Sequence, residues 1–203
     1  QDMYETTVNY QTYSQQVTGF DGEGQLTSAI NYVVSEDMPV LYTLTGHDEL
    51  SMSESMKETI QKSNIEIRDL NLLTEETVPE DTACLFIFSP KTDIAAEEAE
   101  KIIGYLENGG KAIIVSDYTD IEMPNFNSVL ENYGVQPENG IVLEGDEEHY
   151  IAQNQYYLLP NIESNEITSN LSSKSKYILT ALSPSIKSLE NVRDTIKIDS
   201  ILT

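Results

Sequence analysis

The chain has 203 residues and a mass of 22.7 kDa, room for one domain with a real core, or one domain and an arm. Acids outnumber bases 35 to 11, for a formal charge of −24 and a pI near 4.1, which excludes the basic face a phosphate backbone needs and a polybasic hold on anionic lipid. A single cysteine excludes an internal disulfide and a cysteine-based metal site.

The first residue is Gln1, and the chain is read as a piece of a longer protein. No signal peptide is visible, and no stretch approaches the ~18 apolar residues of a membrane span. Residues 1–38 are expected to form an arm and a helix, a membrane-proximal connector. Residues 39–203 are expected to form an α/β domain, less regular over 144–176.

Residues 8–17 read as a strand or as an extended arm, among the aromatics Tyr4, Tyr10, Tyr13 and Phe20. Leu26, Ala29, Ile30, Val33 and Val34 then recur at helical spacing, which predicts an amphipathic helix over 24–34. From Pro39 the pattern changes to alternating strands and helices. Residues 40–44 form a buried-type strand. Residues 53–62 form a helix with Met56 and Ile60 on one side. Residues 65–70 form an alternating strand, and 84–88 a continuous apolar run of the central parallel type. A helix over 94–107 carries Ile102, Ile103 and Leu106 on one face and ends at Gly109 and Gly110. A second central strand spans 112–115. A helix over 126–133 is begun by Pro124 and ended by Gly134. Further strands are predicted over 141–143, 177–182 and 195–202. The alternation predicts an open, mostly parallel, doubly wound sheet.

In such a sheet, ligands bind outside the carboxyl ends of the strands. Three of those ends carry polar clusters: Thr45-Gly46-His47-Asp48-Glu49, Ser89-Pro90-Lys91-Thr92-Asp93 and Ser116-Asp117-Tyr118. The candidate ligand residues are Thr45, Gly46, His47, Glu49, Ser89, Lys91, Asp93 and Asp117. His47 has the chemistry of an acid or base near neutral pH. The competing reading is structural: Gly46 and Pro90 are turn formers, and Ser89, Thr92, Asp93 and Ser116 are natural caps for the helices that follow. Loop polarity alone would produce much of the cluster.

Other chemistry has little support. Cys84 opens an apolar strand, and no G-x-C-x-G or G-x-S-x-G elbow is present, so core packing is its expected role. His47 and His149 are the only histidines, and the acidic stretch 144–148 lacks the alternation of a calcium loop. No phosphate loop is present, and no cofactor or metal is implied.

Three stretches, taken together and in order, resemble a known family. They are Glu23-Gly24-Gln25-Leu26-Thr27-Ser28-Ala29-Ile30-Asn31-Tyr32-Val33, then Val40-Leu41-Tyr42-Thr43-Leu44-Thr45-Gly46-His47-Asp48-Glu49, then Ser89-Pro90-Lys91-Thr92-Asp93 through Glu97-Glu98 to Tyr105-Leu106-Glu107-Asn108-Gly109-Gly110-Lys111. They resemble the extracytoplasmic auxiliary domain of bacterial ABC transport systems, the gliding-motility (GldG-like) family. The resemblance implies a flavodoxin-like or class I glutamine-amidotransferase-like sheet, placed outside the bacterial cell membrane, and partners in a permease and an ATPase. It implies no established enzymatic activity, and the family's Gly-His-x-Glu signature maps onto Gly46, His47 and Glu49. That pair either fixes the turn after the first parallel strand or presents a ligand. The leading expectation is a non-catalytic domain that binds a partner subunit, an envelope component or a substrate. The alternatives are a hydrolase or amidotransferase-like enzyme using His47 with a carboxylate, and a glycan-binding module built on tyrosines.

Overall fold

The computed structural model describes residues 4–9, 14–20, 22–34, 38–172, 177–190 and 192–203. The chain opens with an antiparallel hairpin, β1 (Tyr4–Asn9) and β2 (Ser14–Phe20). Residues 10–13, with Tyr10 and Tyr13, lie outside the described residues. Helix α1 (Gly22–Val34) follows, as its spacing predicts. Its apolar side is largely open to solvent, Val33 being 81% exposed. The helix is tied to the rest of the chain through Ser28, whose hydroxyl donates to the Lys62 carbonyl, and through the Asn64 amide, which donates to the Ser28 carbonyl.

The body of the protein is a four-stranded parallel sheet. Its elements run β3 (Val40–Leu44), α2 (Glu54–Lys62), β4 (Glu66–Leu70), β5 (Thr82–Phe88), α3 (Ala96–Glu107), β6 (Ala112–Val115) and α4 (Pro124–Glu131). The spatial order is β4-β3-β5-β6, so the winding direction reverses between β3 and β5. Both faces carry helices, which makes the fold an open, doubly wound α/β sheet.

The period-2 alternation of the strands divides the core into two layers. Val40, Tyr42, Leu44, Leu70, Leu85 and Ile87 pack against Ala99 and Ile102 of α3 and Phe126 and Val129 of α4. On the opposite face Leu41, Met52 and Phe86 pack with Ile60 of α2 and with Ile65, Ile67 and Cys84. Cys84 is core filling, as expected, and burial pushes its thiol up.

The C-terminal third departs from expectation. The elements there are β7 (Val135–Pro137), β8 (Tyr157–Leu158), a short α5 (Ser169–Ser172), β9 (Thr180–Ala181) and β10 (Ile186–Ser188). They pair as two small antiparallel ladders, β7 with β10 and β8 with β9. The predicted strand over 141–143 does not form, because that run meets its neighbour through one main-chain bond, Val142 to Ser183, and Leu143 stays exposed. The strand predicted over 177–182 shrinks to β9. The strand predicted over 195–202 is replaced by a turn, Ile196 N–H to Arg193 O, and a single bridge between Leu202 and Ile162. Apolar residues alone do not make a strand where the chain is not brought alongside a ladder edge.

Tyr105 closes the α3–β6 connection. Its hydroxyl donates to the Lys111 carbonyl at 3.0 Å and accepts from the Lys111 N–H at 3.1 Å, while its ring lies where a Cβ on Gly110 would sit. Burial pushes the phenol above its ordinary value of 10.0. The unfolded chain therefore releases this proton first as pH rises, so the stabilisation is complete below about pH 10 and is lost as pH rises through the folded value. Urea denaturation at increasing alkaline pH is expected to show a steeper loss of stability for the native chain than for Tyr105→Phe. Equal slopes would remove Tyr105 as the cause.

Candidate functional site

The reversal between β3 and β5 is where an open parallel sheet normally leaves a ligand crevice. Here the loops after both strands meet and close it. Thr45 continues the ladder, its N–H donating to Leu70 O at 2.9 Å. Gly46 then turns the chain at φ +124°, a conformation open to glycine and costly for other residues. The turn drives His47 inward, where it is 5% exposed.

Three sets of contacts hold His47. Its backbone N–H donates to Glu49 Oε2 at 2.9 Å, and its Nδ1 lies 3.3 Å from Glu49 Oε1. Its Nε2 lies 3.0 Å from Glu98 Oε2. Its carbonyl accepts from the N–H groups of Lys91 and Thr92 at 2.8 and 3.2 Å. The Leu50 N–H donates to Phe88 O at 2.9 Å, so the two loops are sewn together on both sides of the imidazole.

Glu98 is the residue that the sequence reading does not place in the site. It sits in the first turn of α3, 1% exposed, and its Oε2 also accepts from the Ala95 N–H at 2.9 Å. That bond is the carboxylate half of a capping box and offsets an orphan donor at the helix start. Its other oxygen, Oε1, is buried with no hydrogen-bond partner. The signal available in the sequence was helical phase. Ile94, Glu98 and Ile102 follow at i, i+4 and i+8, which puts a carboxylate within a buried apolar stripe.

The remaining candidates divide. Ser89, 1% exposed and at φ +50°, donates its N–H to Val115 O, and its hydroxyl accepts from Lys91 Nζ at 3.2 Å. Lys91 Nζ also pairs with Asp117 Oδ2 at 3.0 Å, linking the ends of β5 and β6 at the surface. Asp93 turns away from this group. Its Oδ1 accepts from Phe126 N–H at 2.9 Å, and its Oδ2 accepts from the N–H and the side-chain amide of Asn125. Asp93 thus caps α4, far along the chain, and not α3, which follows it directly. Beyond Asp117 lies an open crevice of about 260 Å³, lined in part by Tyr118, Glu122, Pro124, Phe126 and Glu138.

The arrangement decides what His47 can do. Both ring nitrogens face carboxylate oxygens and the ring is sealed from solvent, so no nitrogen is left to take a proton from a bound substrate. Cys84 aligns with Leu41 at the start of β3, whereas His47 follows its end, so the thiol and the imidazole lie at opposite ends of the sheet. Among the described residues no group of three His, Cys, Asp or Glu side chains is arranged to hold a metal ion, and no helix is long and apolar enough to cross a membrane.

The fold is similar to that of the mmIFT52 N-terminal domain. The two chains are 17% identical, with a TM-score of 0.57 over 74% of this chain and 69% of that one. At that identity the likeness concerns the fold alone. No curated protein matches the sequence. The model of one family, described as an ABC-type uncharacterized transport system, matches residues 38–157, from just before β3 to the start of β8. That match covers more than half of the chain, the whole parallel sheet and the His47 lock, and the chain belongs to this family of ABC transport auxiliary components.

Proposed function

We propose that this chain is a non-catalytic, extracytoplasmic domain of a membrane protein in a bacterial ABC transport system, of the GldG-like kind. It would act beside a permease and an ATPase. The observation that carries the reading is the lock on His47. The best catalytic candidate of the sequence is buried between Glu49 and Glu98, with both ring nitrogens occupied, in the position where related sheets hold ligands. A net charge of −24 suits a soluble domain held away from anionic lipid. The hairpin and α1 would be the connector to the membrane side, with the α/β domain beginning at residue 39.

The test is capture of the tagged full-length protein from membranes in mild detergent, followed by mass spectrometry. An ABC ATPase and a permease in near-stoichiometric amounts are expected. Recovery of the protein alone, or in a soluble fraction, would overturn the transport assignment. Turnover abolished by His47→Ala in a folded variant would overturn the non-catalytic reading.

A second reading, ligand binding, is favoured by the crevice beyond β6. Asp117 and the half-exposed Tyr118 at its lip offer polar and stacking contacts to an envelope component such as a glycan. Chemical-shift changes at Tyr118 on adding cell-wall fragments would support it. Their absence at saturating concentration would dismiss it.

A further inference from the structure

We propose that β6 is a self-pairing edge, at which two copies of this chain join antiparallel into one continuous sheet. β6 pairs with β5 on one side, and among the described residues no strand pairs with its other side. Leu85 N–H donates to Lys111 O and Ser89 N–H to Val115 O, so the odd-numbered residues turn their main chain toward β5. Ala112, Ile114 and Ser116 therefore turn theirs outward.

The side chains point to the same use. From 111 to 117 exposure alternates without a break: Lys111, Ile113, Val115 and Asp117 are exposed, and the residues between them are partly buried. Ile113 is 55% exposed and Val115 37%. β6 reads Ala-Ile-Ile-Val, with no charge, proline or bulge of the sort that usually protects an edge.

The occupant that fits is a second β6. With Ile114 opposite its own copy, the outward main-chain groups of Ala112 and Ser116 face each other. Ile113 then lies opposite Val115 as a close, non-hydrogen-bonded pair, twice over. In the same register Lys111 of each copy faces Asp117 of the other. The strand is thus complementary to itself in hydrogen bonds, apolar surface and charge only when antiparallel, which is the closed, isologous arrangement. The large negative charge of each copy opposes the approach, so association strengthens as salt screens the long-range repulsion.

Sedimentation equilibrium of the 203-residue chain at high micromolar concentration in 0.5 M salt tests this. A mass approaching twice 22.7 kDa is expected, reverting to the single value in Ile113→Lys. That side chain is exposed, and a thermal scan checks that the variant folds. In a Cys84→Ser background, Ile113→Cys with Val115→Cys is expected to form intermolecular disulfides on oxidation, since such opposed residues lie about 4.5 Å apart between Cα atoms, within disulfide range. A monomer at every concentration and salt would overturn the proposal. So would a dimer that Ile113→Lys leaves intact, or a dimer in which the paired cysteines do not cross-link.

Discussion

Glu98→Ala is expected to cost about 2–5 kcal/mol of folding stability, because it strands two hydrogen-bonding groups at about 1–3 kcal/mol each and leaves a cavity behind. The alanine leaves the buried His47 Nε2 facing a void and the partly buried Ala95 N–H without its acceptor. Glu98→Gln keeps an acceptor for the helix start and loses only the charge beside the imidazole. Its expected cost is smaller, about 1–3 kcal/mol. His47→Ala is expected to be as damaging as Glu98→Ala, because it leaves two carboxylates without the ring between them. The double variant should cost less than the sum of the single ones, with a coupling of about 1–3 kcal/mol. Urea denaturation of the four variants beside the native chain measures all of this. A cost below about 1 kcal/mol for Glu98→Ala would mean that Glu98 is not the buried partner the geometry describes.

Phe126→Ala is expected to lose about 3–5 kcal/mol, the range for emptying a fully buried aromatic site. Phe126 is 1% exposed and anchors α4 against the strand layer formed by β3, β4 and β5. Its backbone N–H is fixed by Asp93 Oδ1 at 2.9 Å, so one residue supplies both packing and a capped main-chain donor. Asp93→Ala isolates the second contribution and should cost about 1–2 kcal/mol, as the loss of a helix cap does. The order of the two values separates the roles. An Asp93→Ala cost equal to that of Phe126→Ala would mean that the cap, and not the ring, holds α4 in place.

The parallel sheet was legible because its signal is local and repeated. β3, β5 and β6 are apolar runs bounded by turn residues, and α3 carries a clear stripe. The pairing of His47 with Glu49 was legible for the same reason, two residues apart on one turn. Glu98 was hidden because Ala96-Glu97-Glu98-Ala99-Glu100 looks like a solvated acidic helix start, and only its phase with Ile94 and Ile102 sets it apart. Asp93 was expected to cap the adjacent helix, whereas tertiary packing brings a distant one, α4, to its oxygens. The ladders β7–β10 and β8–β9 join short segments far apart in the chain, and no local pattern announces such a pairing.

The lock has a consequence for the order in which the protein can assemble. β3 is flanked by β4 and β5, so its second neighbour arrives only after the intervening helix, strand and loop have been made. His47 stays unsatisfied for longer still, since Glu98 follows β5 in the chain. Until that carboxylate arrives, the early strands hold a polar group over an unfinished apolar layer, a condition that favours reopening over commitment. The final register of the central strands is therefore sealed late, by a side chain from α3. A nascent or threaded chain that ends before residue 98 has no means of sealing it.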